Sequence, residues 1–369
     1  MKVLLCSPYE QRDGIVSGGV NIWGKNIIKY YQSITSSLEL DAVSYDREYE
    51  VKDDSSAFSR IYYGVKEYCR AIYNTRKRLK KGKYDVVHLC SSAQLSLFKD
   101  YVVTKMSRQM GAKTVVHFHF GRIPDLIKLK NWEWKMIVKV AHIAHRIVVM
   151  DMASYHTLQS VGITNCSYLP NPLSTEIIRR IDSLWDEISR QEKKIVFVGH
   201  VIVPKGVCEL VKACTEIPGI ELHIIGTIDG QMRNMIADIV HDCDNTDWLK
   251  IRGSMPHEKV IEEMLSSKIF ALPSYTEGFP NVILESMACG CGIVATPVGA
   301  IPEMLNVHGD AACGLIAAVK DSDELRRHLE LLLNDKELCD ILSSNAVKRV
   351  NELYAMPQVW NQLVSIWAL

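Results

Sequence analysis

The stretch that most constrains the fold runs from Phe270 to Gly290. It opens with a short apolar run, crosses a loop that contains Gly and Pro, and enters a helical pattern that Gly290 closes. A second apolar run, Gly292 to Thr296, follows at once. This order predicts a strand, a loop, a helix and a second strand, which is the unit of an α/β sheet.

The loop before the predicted helix has the features of an anion site. A helix N-terminus presents unpaired backbone N–H groups and the positive end of the helix dipole, which suit a diphosphate. Gly278 lets a phosphate approach the backbone, and Pro280 stiffens the loop. Glu277 and Glu285 bracket the loop, and we expect Glu285, in the first helical turn, to accept hydrogen bonds from ribose hydroxyls. A glutamate that only complements the helix dipole is the alternative.

The segment from Glu277 to Gly290 resembles the paired-glutamate signature of the retaining, nucleotide-sugar-dependent glycosyltransferases of family 4. The resemblance implies the GT-B architecture, in which two Rossmann-like α/β domains with doubly wound parallel sheets face a central cleft. It also implies transfer of a sugar from a nucleoside-diphosphate sugar to a hydroxyl, with retained configuration and with neither a metal nor another cofactor. Front-face attack, with the leaving phosphate oxygen taking the acceptor proton, is the mechanism that the resemblance implies.

Other segments of the second half resemble the same family. Lys205 matches a family lysine that neutralises the donor diphosphate, whereas His200 stands where the family usually has an arginine. An unperturbed histidine is mostly uncharged at neutral pH, so the contact predicted for His200 depends on its protonation. Met255 lies in a segment that resembles the loop whose backbone reads the nucleotide base. A carboxylate beside phosphate would repel it, so Glu277 is expected on the hydroxyls of the donor sugar. The other predicted donor contacts in this half are Gly278, Phe279, Pro280, Asn281 and Glu285.

Strands and helices alternate in the first half as well, which indicates a doubly wound sheet. Ligands bind beyond the carboxyl ends of strands in such sheets, and His119 closes a predicted strand. By resemblance, His119 contacts the donor sugar and completes a catalytic set with Lys205 and Glu277; a buried structural histidine is the alternative. The loop at Gly18 and Gly19 resembles one that closes over the donor phosphates or the acceptor, although a plain strand-to-helix turn explains it as well.

The length of 369 residues is large for a single core and sufficient for two α/β domains. We predict an acceptor-binding domain at 1–172 and a nucleotide-sugar donor-binding domain at 173–355, with a C-terminal helix at about 356–369 that crosses back onto the first domain. Asp321 and Asp323 imitate a metal-binding pair. Because they precede a helical pattern, we interpret them as a helix cap, and no metal site is expected.

Charge is distributed unequally. Residues 1–170 hold 25 Lys and Arg against 15 Asp and Glu, although the whole chain has 43 of each. This surplus favours an anionic partner, either a membrane surface or a phosphate-bearing acceptor, with a solvated basic face as the alternative. The basic, Trp-containing segment 128–146 has the composition of an interfacial membrane helix, with core packing as the alternative. Nucleic acid is not expected, because aromatic residues do not interleave with the basic ones as in a binding module.

Eleven cysteines show neither paired metal-ligand spacing nor a disulfide framework, which favours a reducing compartment. We therefore expect a cytoplasmic protein, at most peripheral on the inner face of a membrane. The predicted function is transfer of a hexose or N-acetylhexosamine to a lipid-linked or polysaccharide precursor of a surface glycan. The alternatives are a nucleotide-sugar epimerase or hydrolase of the same architecture and a non-catalytic nucleotide-sugar-binding subunit.

Overall fold

The computed structural model describes residues 1–10, 18–46 and 57–368, with side chains from Tyr62 onward in the last range. This part of the chain forms two compact units. The first comprises Met1–Pro172 with Val359–Leu369, and the second comprises Leu173–Gln358. No helix among the described residues has both the length and the apolar character needed to cross a bilayer.

The first unit is built on a parallel sheet. Its six strands in the described ranges are β1 (Lys2–Ser7), β2 (Glu39–Ser44), β3 (Val86–Ser91), β4 (Lys113–Phe118), β5 (Arg146–Val149) and β6 (Cys166–Tyr168). They pair in the order β2-β1-β3-β4-β5-β6. The helices between them are α1 (Gly19–Ser33), α2 (Ala57–Lys81), α3 (Ser96–Gln109), α4 (Ile123–Leu129), α5 (Trp132–Ile143) and α6 (Met152–Ser160). The order reverses between β1 and β3, so right-handed crossovers place α1 on one face and α2, α3 and α5 on the other.

The central strands of this sheet are buried on both faces, as a parallel sheet with helices on both sides requires. Towards α2 and α3, Leu4, Val87 and Leu89 form part of one apolar cluster. Towards α5, Val116 and Phe118 belong to a second cluster. Because neighbouring residues of a strand point to opposite faces, the residues between these apolar ones project towards α1.

The second unit repeats the arrangement. Its six strands in the described residues are β7 (Gln191–Val198), β8 (Glu221–Ile225), β9 (Leu249–Gly253), β10 (Ser267–Leu272), β11 (Gly292–Ala295) and β12 (Leu315–Ile316), paired in parallel in the order β12-β11-β10-β7-β8-β9. The helices of the rest of the chain are α7 (Thr175–Leu184), α8 (Val207–Thr215), α9 (Gly230–Ile239), α10 (His257–Leu265), α11 (Asn281–Ala288), α12 (Ile301–Met304), α13 (Ser322–Asn334), α14 (Lys336–Arg349) and α15 (Met356–Trp367). A 3-10 turn (Val203–Lys205) precedes α8, and a π-helical segment (Val350–Tyr354) follows α14. The expectation of two doubly wound parallel sheets is confirmed.

Two local features bear on the sequence predictions: the start of α13 and the segment 128–146. Asp321 caps α13, where its carboxylate accepts a hydrogen bond from the Glu324 N–H at 2.8 Å, as the cap interpretation predicted. The segment 128–146 is not one helix. Lys130 takes a left-handed conformation (φ 46°) that ends α4, and the Asn131 side chain accepts from the Trp134 N–H at 3.0 Å and starts α5.

Candidate active site

An ion pair between two of the predicted site residues joins the turn before α8 to the loop from β10 to α11. Lys205 Nζ lies 2.5 Å from Glu277 Oε1, and Ser274 Oγ donates to the same oxygen at 2.7 Å. The side chains of Lys205 and Glu277 are 24% and 9% exposed. The site therefore holds one ammonium and one carboxylate in contact, each partly withdrawn from water. Ser274 was not singled out from the sequence, since a serine in a loop carries no distinctive signal.

The backbone before α8 fixes the position of Lys205. Gly206 has φ +67°, and a Cβ there would lie 2.0 Å from the carbonyl oxygen of Pro273. Only glycine fits this close approach of the two loops. The Tyr275 N–H donates to the Pro204 carbonyl at 2.8 Å and joins the same loops. The carboxyl ends of β7 and β10 are thus held together with Lys205 between them.

The start of α11 lies directly after Glu277 and Gly278. Pro280 occupies the N-cap position and has no side-chain oxygen to cap the first turn. The Gly278 carbonyl accepts from the Ala300 N–H at 2.9 Å. The loop is thereby anchored, and the positive end of the α11 dipole lies on the same side as the Lys205 ammonium. The arrangement suits an anionic ligand.

Glu285 lies in the second turn of α11, because the helix begins at Asn281; its predicted first-turn position is wrong. It is buried, at 7% exposure, and Oε1 lies 3.0 Å from His257 Nε2 at the first residue of α10. This hydrogen bond raises the pKa of His257 above its ordinary value of 6.5. The predicted ribose contact therefore already has a histidine partner, which the sequence did not reveal because the two residues are 28 positions apart.

His200 is exposed after β7, and its Nδ1 lies 2.7 Å from Thr227 Oγ1 in the loop after β8. Met255 is half-buried in the connection between β9 and α10. His200 and Lys205 follow β7, and Met255 follows β9 on the other side of β8, so all three lie at the same carboxyl edge of the parallel sheet. Thr227, the hydrogen-bond partner of His200, was not singled out from the sequence.

Phe279 differs from the other predicted donor contacts. Its ring is 6% exposed and packs edge-on against Tyr354, with centroids 5.9 Å apart. The side chain serves packing within the second unit, so a donor contact at this position falls to the backbone. From the sequence alone, a hydrophobic residue in a loop that packs in the core cannot be distinguished from one that contacts a ligand. Gly278 lies in the loop before α11, Pro280 is the N-cap of this helix and Asn281 its first residue; their predicted donor contacts stay predictions.

In the first unit, His119 follows β4 directly and its ring meets two other rings. The centroid of Trp23 is 5.0 Å away and that of His117 is 3.9 Å away, so the two histidines share a face as expected. His119 Nε2 has no hydrogen-bond partner in the described part of the chain. Burial lowers the pKa of His119 to about 3. The ring is therefore neutral at physiological pH and retains hydrogen-bonding capacity at Nε2.

Gly18 caps α1 and Gly19 is its first residue. Neither has a φ in the left-handed region, and a Cβ on either would meet no atom within 4 Å among the described residues. Local geometry therefore does not require glycine at these positions. Their predicted role stays a prediction.

A third histidine, His88, lies in β3 of the same sheet. His88, Cys90 and His117 hold possible metal-ligand atoms within 4.8 Å of one another. Trp367 Nε1 donates to His88 Nδ1 at 2.9 Å, which places the proton of neutral His88 on Nε2. Burial lowers the pKa of His88 to about 3. In this tautomer Nε2 of His88 is a donor and has no lone pair for a cation, so His88 does not act as a metal ligand in this arrangement.

The second unit matches a known protein family. Residues 185–349 match the family model of glycosyl transferases group 1. This match covers the segment with Lys205, Glu277 and Glu285. It is confined to the second unit, where the sequence motifs were also most specific.

Curated relatives of the chain are glycosyltransferases. CapM, the capsular polysaccharide biosynthesis glycosyltransferase of Staphylococcus aureus, is 22% identical over 60% of this chain and 58% of its own length. The alpha-D-kanosaminyltransferase of Streptomyces kanamyceticus is 24% identical over 80% of each chain. The N,N'-diacetylbacillosaminyl-diphospho-undecaprenol alpha-1,3-N-acetylgalactosaminyltransferase of Campylobacter jejuni is 27% identical over 52% of this chain and 48% of its own. The chain thus spans about half the length of two of these relatives.

Solved structures match over the whole chain. Sucrose-phosphate synthase from Thermosynechococcus elongatus superimposes with a TM-score of 0.76 at 17% identity, over 100% of this chain and 98% of its own. HepE of Anabaena, solved with UDP, gives 0.71 at 14% identity over 100% of both chains. The fold is the GT-B fold of glycosyltransferases.

Proposed function

We propose that the protein is a retaining glycosyltransferase of family 4 that transfers a hexose or N-acetylhexosamine from a nucleoside-diphosphate sugar. The observation that carries the proposal is the contact between Lys205 and Glu277 at the carboxyl ends of β7 and β10, directly before the N-terminus of α11. The match of residues 185–349 to glycosyl transferases group 1 supports it. The complex of HepE with UDP supports a nucleotide donor.

The proposed chemistry uses the residues as follows. Lys205 and the first turn of α11 stabilise the negative charge that develops on the diphosphate as the bond from the sugar C1 to its oxygen breaks. The acceptor oxygen forms the new bond to C1 on the same face, and its proton passes to the leaving phosphate oxygen. Glu277 holds hydroxyls of the donor sugar, and Glu285 holds the ribose. The contact of His119 with the donor sugar is what the family resemblance implies. No metal ion takes part, so chelation with EDTA leaves the rate unchanged.

The proposed acceptor is a lipid-linked or polysaccharide precursor of a surface glycan. The names of two relatives support this class: one acts in capsular polysaccharide biosynthesis, and the other on a diphospho-undecaprenol substrate. The basic excess of residues 1–170 is complementary to such a phosphate-bearing acceptor.

Donor binding is the first test. A panel of UDP, GDP, ADP and dTDP sugars is added to the wild-type protein and to Glu285→Ala, and the thermal midpoint is measured. One nucleotide should raise the midpoint of the wild type and have a much smaller effect on the variant, since a ligand stabilises the state that binds it. Equal shifts in both proteins would refute the ribose role of Glu285.

Turnover is the second test. Lys205→Met should lower sugar transfer by on the order of a hundredfold or more, because it removes a charge at the leaving group. The matched control is Lys212→Met, an exposed lysine of α8, which should retain wild-type transfer. Full turnover in Lys205→Met would refute the proposal, and conversion of the donor without any acceptor would favour an epimerase or hydrolase.

A further inference from the structure

Helices α3 and α5 pack side by side on one face of the first sheet. The rings of Phe98 and Trp132 stack near the N-terminal ends of the two helices, with centroids 5.9 Å apart and planes at 13°. Near the C-terminal ends, the Arg108 guanidinium donates to the Ile143 carbonyl at 2.6 Å. The helices therefore run in the same direction and present one joint outer surface.

The N-terminal end of this surface is apolar. We define the apolar tip as Leu95, Phe98, Val102, Leu129 and Trp132. Their exposed fractions lie between 44% and 67%. Phe98 contacts Trp132. Leu95 and Val102 lie about one turn to either side of Phe98, and Leu129 lies three residues before Trp132. Isolated exposed apolar side chains are common on soluble proteins, but several large ones grouped in this way indicate a binding surface.

Cations surround the apolar tip. We define the basic collar as Lys105, Lys128, Lys130, Lys135 and Lys139, all of which are exposed. Lys128 and Lys130 flank Leu129, and the others continue the outer faces of α3 and α5. Asp125 is an exposed acid beside them, 3.6 Å from Lys128 Nζ. The surface therefore combines an apolar centre with a positive border.

The one glutamate of α5 does not offset this charge at the surface. Glu133 is 6% exposed and turned inward, where Oε1 accepts from the Gln94 N–H at 2.8 Å and pairs with the Arg122 guanidinium at 2.5 Å. Its carboxylate instead ties α5 to the loop before α3. The exposed residues of α5 are Trp132, Lys135, Lys139 and His142.

We infer that the apolar tip and the basic collar dock the protein on an anionic phospholipid bilayer. Aromatic and aliphatic side chains enter the boundary between headgroups and acyl chains, while lysines beside them bind the anionic headgroups. A protein partner is less suited to this surface, since lysine is depleted in protein–protein interfaces. The charge of the collar is complementary to that of the lipid.

The position of the apolar tip fits the proposed acceptor. Helices α3 and α5 follow β3 and β4, so their N-terminal ends lie at the edge of the sheet where these strands end. His119 follows β4 at that same edge. Docking there would bring a lipid-linked acceptor to the side of the first unit that carries His119. The inference extends the lipid-linked acceptor of the proposed function, but docking is measurable without any sugar transfer.

The test is co-sedimentation of the full-length protein with vesicles of phosphatidylcholine alone and with vesicles enriched in phosphatidylglycerol. The wild type should bind the anionic vesicles at least tenfold more tightly, and added salt should weaken the binding. Phe98→Glu/Trp132→Glu should abolish binding to both. Lys135→Glu/Lys139→Glu should remove the preference for the anionic vesicles.

Ile341→Glu is the matched control, because Ile341 is 52% exposed in the second unit; it should bind as the wild type does. Thermal midpoints and the shift caused by the donor sugar should be the same in all variants, which separates docking from folding and from the donor site. Equal binding of wild type and Phe98→Glu/Trp132→Glu would overturn the inference. So would a dimer that dissociates in this double variant while the wild type ignores vesicles, since the apolar tip would then bind a second copy of the chain.

Discussion

At the scale of single residues, Lys205 and Glu277 form an ion pair. An ammonium group has three N–H donors, so Lys205 can keep its contact with Glu277 and still donate to a phosphate oxygen. Ser274 donates to the carboxylate oxygen that Lys205 contacts, which restricts the rotamers available to Glu277. The carboxylate therefore positions the ammonium in advance, which would lower the entropy lost on binding of the proposed diphosphate.

Gly206 is the residue whose replacement should perturb this pair through the backbone. Gly206→Ala should destabilise the second unit by at least about 2 kcal/mol, because a Cβ adds a clash with the Pro273 carbonyl to the strain of a positive φ. Chemical denaturation measures the loss. Gly219→Ala is the control: its φ is also positive (+70°), but a Cβ there meets only the flexible end of Lys193. Equal losses of stability in the two variants would show that the close approach of Gly206 to Pro273 does not affect stability.

The hydrogen bond between His257 and Glu285 gives a pH-dependent prediction. The pKa of His257 is higher in the folded state than in the unfolded chain. The stability that this hydrogen bond contributes is therefore fully present below about pH 6.5 and is lost as the pH rises through the pKa of the folded state. His257→Ala should therefore cost more stability at about pH 6 than at about pH 9. Denaturation at both pH values measures this difference. The exposed His241→Ala should show a much smaller change, and a cost for His257→Ala that is independent of pH would contradict the prediction.

At the scale of elements, α15 returns to the first unit and completes its core. Trp367 is 1% exposed, and its indole N–H reaches His88 in β3 across 279 positions of sequence. Trp360 packs edge-on against Trp367, with centroids 5.7 Å apart. The last helix thus covers the sheet face on which α1 also lies. Its contacts fix the tautomer of His88 as well as burying apolar area.

Trp367→Phe tests the hydrogen bond of this helix. Phenylalanine retains much of the buried volume but leaves His88 Nδ1 without its donor, so the unfolding free energy of the first unit should fall by about 1–3 kcal/mol beyond the packing loss. Trp185→Phe is the control, since Trp185 is 45% exposed in the second unit. A change in Trp367→Phe no larger than in this control would show that the hydrogen bond contributes nothing.

At the scale of the whole molecule, the two units should respond differently to acid. Burial lowers the pKa of His88 to about 3 and that of His117 well below 6.5. Between these values and 6.5 the unfolded chain binds protons that the folded one excludes, so stability falls as pH falls. In this range, each such histidine lowers the free energy of unfolding by about 1.4 kcal/mol for every unit by which the pH falls. In the second unit, hydrogen bonds from His223 and, to a smaller extent, from Lys194 lower the pKa of Glu263 from 4.5 to about 2. The stability that the ionised Glu263 contributes is lost only below about pH 4.5.

Hydrogen exchange, corrected for the intrinsic rate, should therefore show that β3 and β4 lose protection between about pH 7 and pH 5 while β7 and β10 keep theirs. His117→Gln should reduce the pH slope of the first unit, because glutamine takes no proton. His241→Gln, at 82% side-chain exposure, should leave it unchanged. Equal loss of protection in both units would contradict the assignment to buried histidines.

Periodicity in the sequence was enough to predict the elements around the site. The run from Phe270 to Thr296 forms β10, α11 and β11 as predicted, because apolar strands, a Gly- and Pro-containing loop and a short helical pattern are local signals. The helix break at Lys130 was missed, since a left-handed residue that is not glycine leaves no such signal. The position of Glu285 was wrong by one turn, because the start of a short helix without a polar cap is poorly marked.

What the sequence determined by itself was the α/β class, the alternation of strands and helices, and the motif that contains Glu277 and Glu285, since these depend on residues close together in the chain. The tertiary structure decided which distant groups meet. It paired Lys205 with Glu277 across 72 positions, His257 with Glu285, and Trp367 with His88. It also buries Phe279 against Tyr354 and stacks Phe98 on Trp132 at the surface. These outcomes depend on strand order and helix packing, and a contact between residues far apart in sequence leaves no trace in the local pattern of either.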